Sequence, residues 1–299
     1  MSQAHSVPAE RLFISAAEIW RATQTPEIAR LAIDESGVPV STEQAGSLAK
    51  SSIGQFIAER LWNVLEATVI QPPADTGTGA GAILSIPWYA EEERKLSLLM
   101  RSFANGGTFE VWHVDPEREQ LRLSSGYFGK WDEFRRITAS TRFTKGSGLP
   151  GRVWFTEQPV LFEDLGESKA FLRAEAAQSI GLQFGIGLPV HYASGMGVVV
   201  LLSSISTPLA HSIDIWRLCN PGEVEHLQGM SLSITARERT EALSAAQALA
   251  LRAATEFSPQ VLPISSNKAH LQPNQAFEFG CAWPSRDRSG AVHIATLVG

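Results

Sequence analysis

The 299-residue chain is predicted to be an α+β protein of antiparallel sheets with flanking helices, arranged as three degenerate repeats. Two observations carry that prediction. A short segment with a tryptophan at a fixed place recurs three times, and each copy is followed at a comparable distance by a proline-bearing hairpin. Stretches of helical spacing fill the intervals between them.

The opening segments are Ala17-Glu18-Ile19-Trp20-Arg21, Phe109-Glu110-Val111-Trp112-His113 and Ile213-Asp214-Ile215-Trp216-Arg217. Each sets an acid, a β-branched residue, a tryptophan and a basic or imidazole side chain in order. Strand alternation puts the acid and the tryptophan on one face, and the β-branched and basic residues on the other. After Trp112, DPEREQLRLSSG reads as a turn and a second alternating strand, hence a hairpin. The stretches after Trp20 and Trp216 are less regular.

A second element follows. Ala58-Glu59-Arg60-Leu61-Trp62 resembles Pro150-Gly151-Arg152-Val153-Trp154, and Trp62 and Trp154 each stand 42 residues after the opening tryptophan. Arg252 to Glu256 is a weaker third echo. The closing hairpins carry Pro87, Pro189 and Pro284, which lie 67, 77 and 68 residues after Trp20, Trp112 and Trp216. A proline gives no ladder hydrogen bond, so each is expected at a strand edge, end or bulge. Met196 to Leu202 is apolar on both faces and reads as a central, covered strand.

Ile53 to Leu65 follows helical spacing, with Ser51 or Ser52 as N-cap. Phe171 to Ile180 reads as a short helix ended by Gly181. Glu223 to Phe257 has helical composition throughout and is expected to form two helices. Residues 1–10, 71–81 and 263–275 read as irregular. The organisation that follows is a flexible stretch at 1–10, a degenerate repeat over 11–103, a central domain over 104–205 and a second degenerate repeat over 206–299.

Composition narrows the function. A net charge of -6 without a basic stripe argues against nucleic acid as a partner. No run of eighteen apolar residues and no signal-like start occurs, so the expected setting is soluble and cytoplasmic, without a membrane partner. Cys219 and Cys281 are too few for a disulfide scaffold and read as small buried hydrophobes. The seven histidines are scattered, with no HExxH, no zinc spacing and no GxSxG. No catalytic residue, cofactor or metal ligand is assigned, and the chain is read as a non-enzyme.

The stretch KGSGLPGRVWFTEQPVLFEDL, followed by FLRAEAAQSIGLQFGIGLPV and GMGVVVLLSS, resembles a GAF domain over about residues 105–205. The resemblance rests on Gly148 to Trp154, Pro159-Val160, Asp164, Arg173-Ala174, Ala177, Gly181 and Leu188-Pro189; the flanks share it only through the repeat. It implies an antiparallel sheet with helices at its sides and a cavity under the loops, one that holds a small effector in some members and nothing in others. Dimerisation is common in the family, so a homodimer is an expected arrangement. The pocket candidates are Trp154, Phe155, Phe162, Phe171, Phe184 and Ile186, with Arg173 and His191 as polar contacts.

Gly148, Pro150, Gly151 and Arg152 form the structural motif. The glycines are expected to allow a tight turn and close backbone packing, and Arg152 to hold a carboxylate such as Asp164 or to meet an anionic ligand. The expected function is regulatory or sensory, through a small effector or a protein partner. The alternatives are a scaffold with filled cavities and a noncovalent tetrapyrrole or haem binder.

Overall fold

In a computed structural model of the chain, the described residues are 14–23, 60–61, 64–72, 80–89, 93–102, 106–166, 170–193, 195–232, 235–261, 277 and 279–299. The three tryptophan segments fall in three separate sheets. The first sheet joins β1 (Ile14–Thr23), β2 (Thr68–Ile70), β3 (Ala80–Tyr89) and β4 (Glu93–Ser102) in the order β1-β4-β3-β2. The second joins β5 (Gly107–Asp115), β6 (Gln120–Tyr127), β7 (Val160–Phe162), β8 (Phe184–Tyr192) and β9 (Gly195–Ser203) in the order β6-β5-β9-β8-β7. The third joins β10 (Ser212–Asn220), β11 (Glu223–Ser231), β12 (Gln260–Val261), β13 (Gly280–Arg286) and β14 (Val292–Val298) in the order β11-β10-β14-β13-β12. The second and third orders are the same, and the first, among the described residues, is that order without its second strand.

Register agrees at the level of single residues. Trp20, Leu96 and Pro87 lie in one row across the first sheet, Trp112, Val198 and Pro189 across the second, and Trp216, Ile294 and Pro284 across the third. A bulge falls immediately before Trp112 and immediately before Trp216. Each proline lies beyond the last residue paired by the short outer strand β2, β7 or β12, where its strand is the edge of the sheet. A residue without an N–H is tolerated there.

Alternation gives the second and third sheets two buried faces. Phe109, Val111, Phe184, Ile186, Leu188 and Leu201 leave the second sheet on one side and pack in a core shared with Leu84, Ile86 and Leu99 of the first and Ile213, Ile215, Trp283 and Leu297 of the third. Trp112, Val198 and Val200 face the other way, toward helices α1 (Asp132–Ser140), α2 (Gly148–Thr156) and α3 (Ala174–Ser179). Trp216 and Ile294 likewise face α4 (Ala236–Glu256). Small side chains at Ala242, Ala246, Ala250 and Ala253 let this helix lie close to the sheet.

The sheets meet at unlike edges. Ser125 of β6 accepts a hydrogen bond from the Val69 backbone N–H of β2 at 3.0 Å. Gln228 of β11 donates to Glu163, next to β7, at 2.9 Å. The third sheet's β12 touches β1 of the first. Such unlike-edge contacts close into a ring when the rotation between units permits.

Several expectations are corrected. Gly148 to Trp154 belongs to a helix rather than a tight turn: Gly148 takes φ +62, and Pro150 sits in the first turn, where no intrahelical donor is required. Glu223 to Ser231 is a strand paired with β10, so the described residues of 223–257 hold one helix, started by a Thr235–Glu238 capping box. Cys281 is buried, but Cys219 is exposed on β10. The 171–180 helix is confined to 174–179, and Gly181 beyond it has φ +78 as expected. Residues 1–10 and most of 53–65, 71–81 and 263–275 lie outside the described residues.

Candidate functional site

The helix side of the central sheet is the place where a cavity is expected. A buried ion pair stands there. The Arg173 guanidinium reaches both oxygens of Glu110, at 2.8 and 2.9 Å, with side-chain exposures of 1% and 0%. Arg173 also donates to Thr138 Oγ1 at 2.6 Å, and Trp112 Nε1 donates to Glu110 at 3.0 Å. The rings of Phe134, Phe171, Trp112 and Phe143 surround the guanidinium at 5.0, 5.2, 5.5 and 5.8 Å from their centroids. A cation in an aromatic box, neutralised by a bidentate carboxylate, is a packed core element.

The predicted pocket residues divide accordingly. Trp154, Phe162 and Phe171 are buried in the helix-side cluster beside Arg173. Phe184 and Ile186 lie on the opposite side of the sheet in the shared core, because they alternate with Gly185 and Gly187 along β8. A Cβ at Gly187 would meet Val153 at 2.6 Å, so that flat side is where α2 rests. Phe155 is 56% exposed. Arg152 is exposed with its guanidinium over the Phe162 ring at 5.2 Å, while Asp164 accepts from the Gly166 N–H at 3.0 Å. These residues therefore do not enclose one cavity.

His191 belongs to a different site. A partly open pocket of about 330 Å³ is lined by Trp88 and Tyr89 of β3, by His191 of β8, and by Ser285, Arg286 and the adjacent Asp287 from β13 and its turn. Phe257, the residue after α4, completes it. Tyr89, His191 and Arg286 stand two residues after Pro87, Pro189 and Pro284, so one hairpin from each sheet reaches the same pocket.

Aromatic contacts and a loop network shape the walls. Trp88 meets Phe257 edge to face at 5.4 Å, and Arg286 lies over Phe257 at 4.8 Å. Phe257 takes φ +43, a left-handed conformation costly for a bulky residue and of the kind that clusters at functional sites. Asp287 accepts from Ser289 N and Oγ, Ala291 N and Gln158 Nε2, and pairs with His293 Nε2 at 3.1 Å. The Ser289 hydroxyl leads the donors that hold its carboxyl well below the usual range. Among the described residues, no group of three or more His, Cys, Asp and Glu stands close enough to hold a metal ion. No helix among them is long and apolar enough to cross a membrane.

Trp88, Tyr89, Phe257, Ser285, Arg286 and Asp287 were not singled out from sequence. The signal that could have found three of the wall positions is their common offset from Pro87, Pro189 and Pro284.

No protein-family model matches the chain, and no curated protein matches it. Solved structures resemble part of it. Free methionine-R-sulfoxide reductase from Neisseria meningitidis is 18% identical over 34% of this chain and 53% of its own, with a TM-score of 0.26. The GAF domain of an Acinetobacter phosphoenolpyruvate-protein phosphotransferase is 18% identical over 34% and 55%, with a TM-score of 0.25. A nitrate-site mutant of NreA from Staphylococcus aureus is 17% identical over 34% and 75%, with a TM-score of 0.28. The chain spans about half the length of the first two. The likeness to GAF-domain proteins is distant and partial.

Proposed function

We propose that the chain is a regulatory binding protein without bond chemistry, made of three degenerate GAF-like copies over 11–103, 104–205 and 206–299. Its small effector binds between the copies. The observation that carries this reading is the pocket lined by Tyr89, His191 and Arg286 from equivalent hairpins. The GAF-type sequence motif at Gly148 to Trp154 and the common strand order support the shared ancestry of the copies. Filling of the central interior by Arg173 and Glu110 favours a site elsewhere. The two unpaired cysteines fit a reducing, cytoplasmic setting.

The neutral fluorophore 1-aminoanthracene tests the pocket. Saturable binding to the full chain, lost in His191→Trp at unchanged thermal stability, is the expected result. Binding unaffected by that substitution, or none at all, favours the alternative: a scaffold that works through its surface and a protein partner.

A further inference from the structure

Resting on the proposed pocket, we infer that its occupant is a compact anion with a planar apolar body, of the aryl carboxylate class. The walls set the body of the ligand. Trp88 and Phe257 present two rings inclined at 62°, and a pocket of about 330 Å³ is at the small end of those that enclose organic ligands.

The donor balance sets its charge. Asp287 is the pocket's carboxylate, and its two oxygens already face donors from Ser289, Ala291, Gln158 and His293. A carboxylate has about four lone-pair sites, so little acceptor capacity remains for a ligand cation. The Tyr89 hydroxyl gives its proton to the Leu65 carbonyl at 3.0 Å, and the Ser285 hydroxyl gives its proton to the His293 carbonyl at 3.3 Å.

Arg286 is the reverse case. One of its nitrogens donates to the Gly290 carbonyl at 3.2 Å, and a guanidinium has about five N–H groups in all. The His191 imidazole, exposed at the rim, has no hydrogen-bond partner among the described residues. The uncommitted groups are thus mainly donors, one of them a permanent cation held by its stack on Phe257. An acceptor-rich anion matches that set better than an ammonium does.

Displacement of 1-aminoanthracene from the full chain by 2-naphthoate and by its neutral isostere 2-naphthamide reads the charge directly. At low salt, naphthoate is expected to displace the probe at a concentration lower by about tenfold, the worth of one charge-assisted bond. Arg286→Met should erase that preference while the amide still displaces; Arg286→Lys should retain part of it. Equal displacement by acid and amide in the wild type, or a preference that survives Arg286→Met, overturns the inference and leaves the pocket standing. If neither 1-aminoanthracene nor naphthoate binds by calorimetry, the pocket itself fails and the inference falls with it.

Discussion

Arg173 and Glu110 form a two-pronged ion pair inside the central lobe, joined across 63 residues of sequence and sealed from solvent. Breaking one side of such a pair leaves a buried charge without its partner, whereas removing both leaves none. Glu110→Gln or Arg173→Met alone should therefore cost about 3–5 kcal/mol in denaturant unfolding, and the Glu110→Leu/Arg173→Met double variant much less. If the double variant loses as much as the singles add up to, the pair is not a self-contained filler of the lobe.

Trp112 and Trp88 should separate stability from binding. Trp112 is fully buried and hydrogen-bonded to Glu110, so its replacement by Ala should cost about 3–5 kcal/mol. Trp88 lines the pocket and is only partly buried, so Trp88→Ala should leave most of the stability and remove 1-aminoanthracene binding. The checks are thermal unfolding and a probe titration on both variants.

Gly151 stands where the chain backs onto itself. A Cβ there would lie 2.2 Å from the Thr144 carbonyl oxygen, while at Gly166 the nearest atom would be 3.5 Å away. Gly151→Ala should destabilise by about 1–3 kcal/mol and Gly166→Ala should be near neutral, as measured by chemical denaturation.

His113 gives a pH dependence. Burial lowers its pKa from 6.5, only partly opposed by Glu66, 3.2 Å from Nδ1, and Arg122 pushes it in the same direction as burial. Its Nε2 is buried without a hydrogen-bond partner, and the ring lies edge-on to Tyr192. Folding weakens the imidazole's hold on a proton, so this contribution is fully present above the ordinary imidazole value and is lost as pH falls from there through the lower folded-state value. Stability should begin to fall as pH drops toward 6.5 and go on falling below it, and His113→Gln should flatten part of that slope. An unchanged slope in the variant contradicts the assignment.

Much of the fold is legible in the sequence because strand alternation and proline chemistry are local. Glu110 and Trp112 share a face, Val111 takes the other, and the three prolines sit beyond their short partner strands. What local pattern does not carry is which neighbour claims a segment. Glu223 to Ser231 has helix-forming residues, yet its pairing with β10 makes it a strand. The site is less legible for the same reason. Phe184 and Phe171 are both apolar and near in sequence, but the sheet stands between them. The pocket walls come from three hairpins about a hundred residues apart, so only their shared offset from a proline announces them.

The central claim is that the binding site lies between the lobes and not within the middle one. The indole N–H region of a ¹⁵N–¹H spectrum, with Trp88, Trp112 and Trp154 assigned through Trp→Phe variants, tests it most directly during titration with 1-aminoanthracene. The Trp88 resonance should move and saturate while Trp112 stays fixed; movement of Trp112 or Trp154 with Trp88 unchanged contradicts the account.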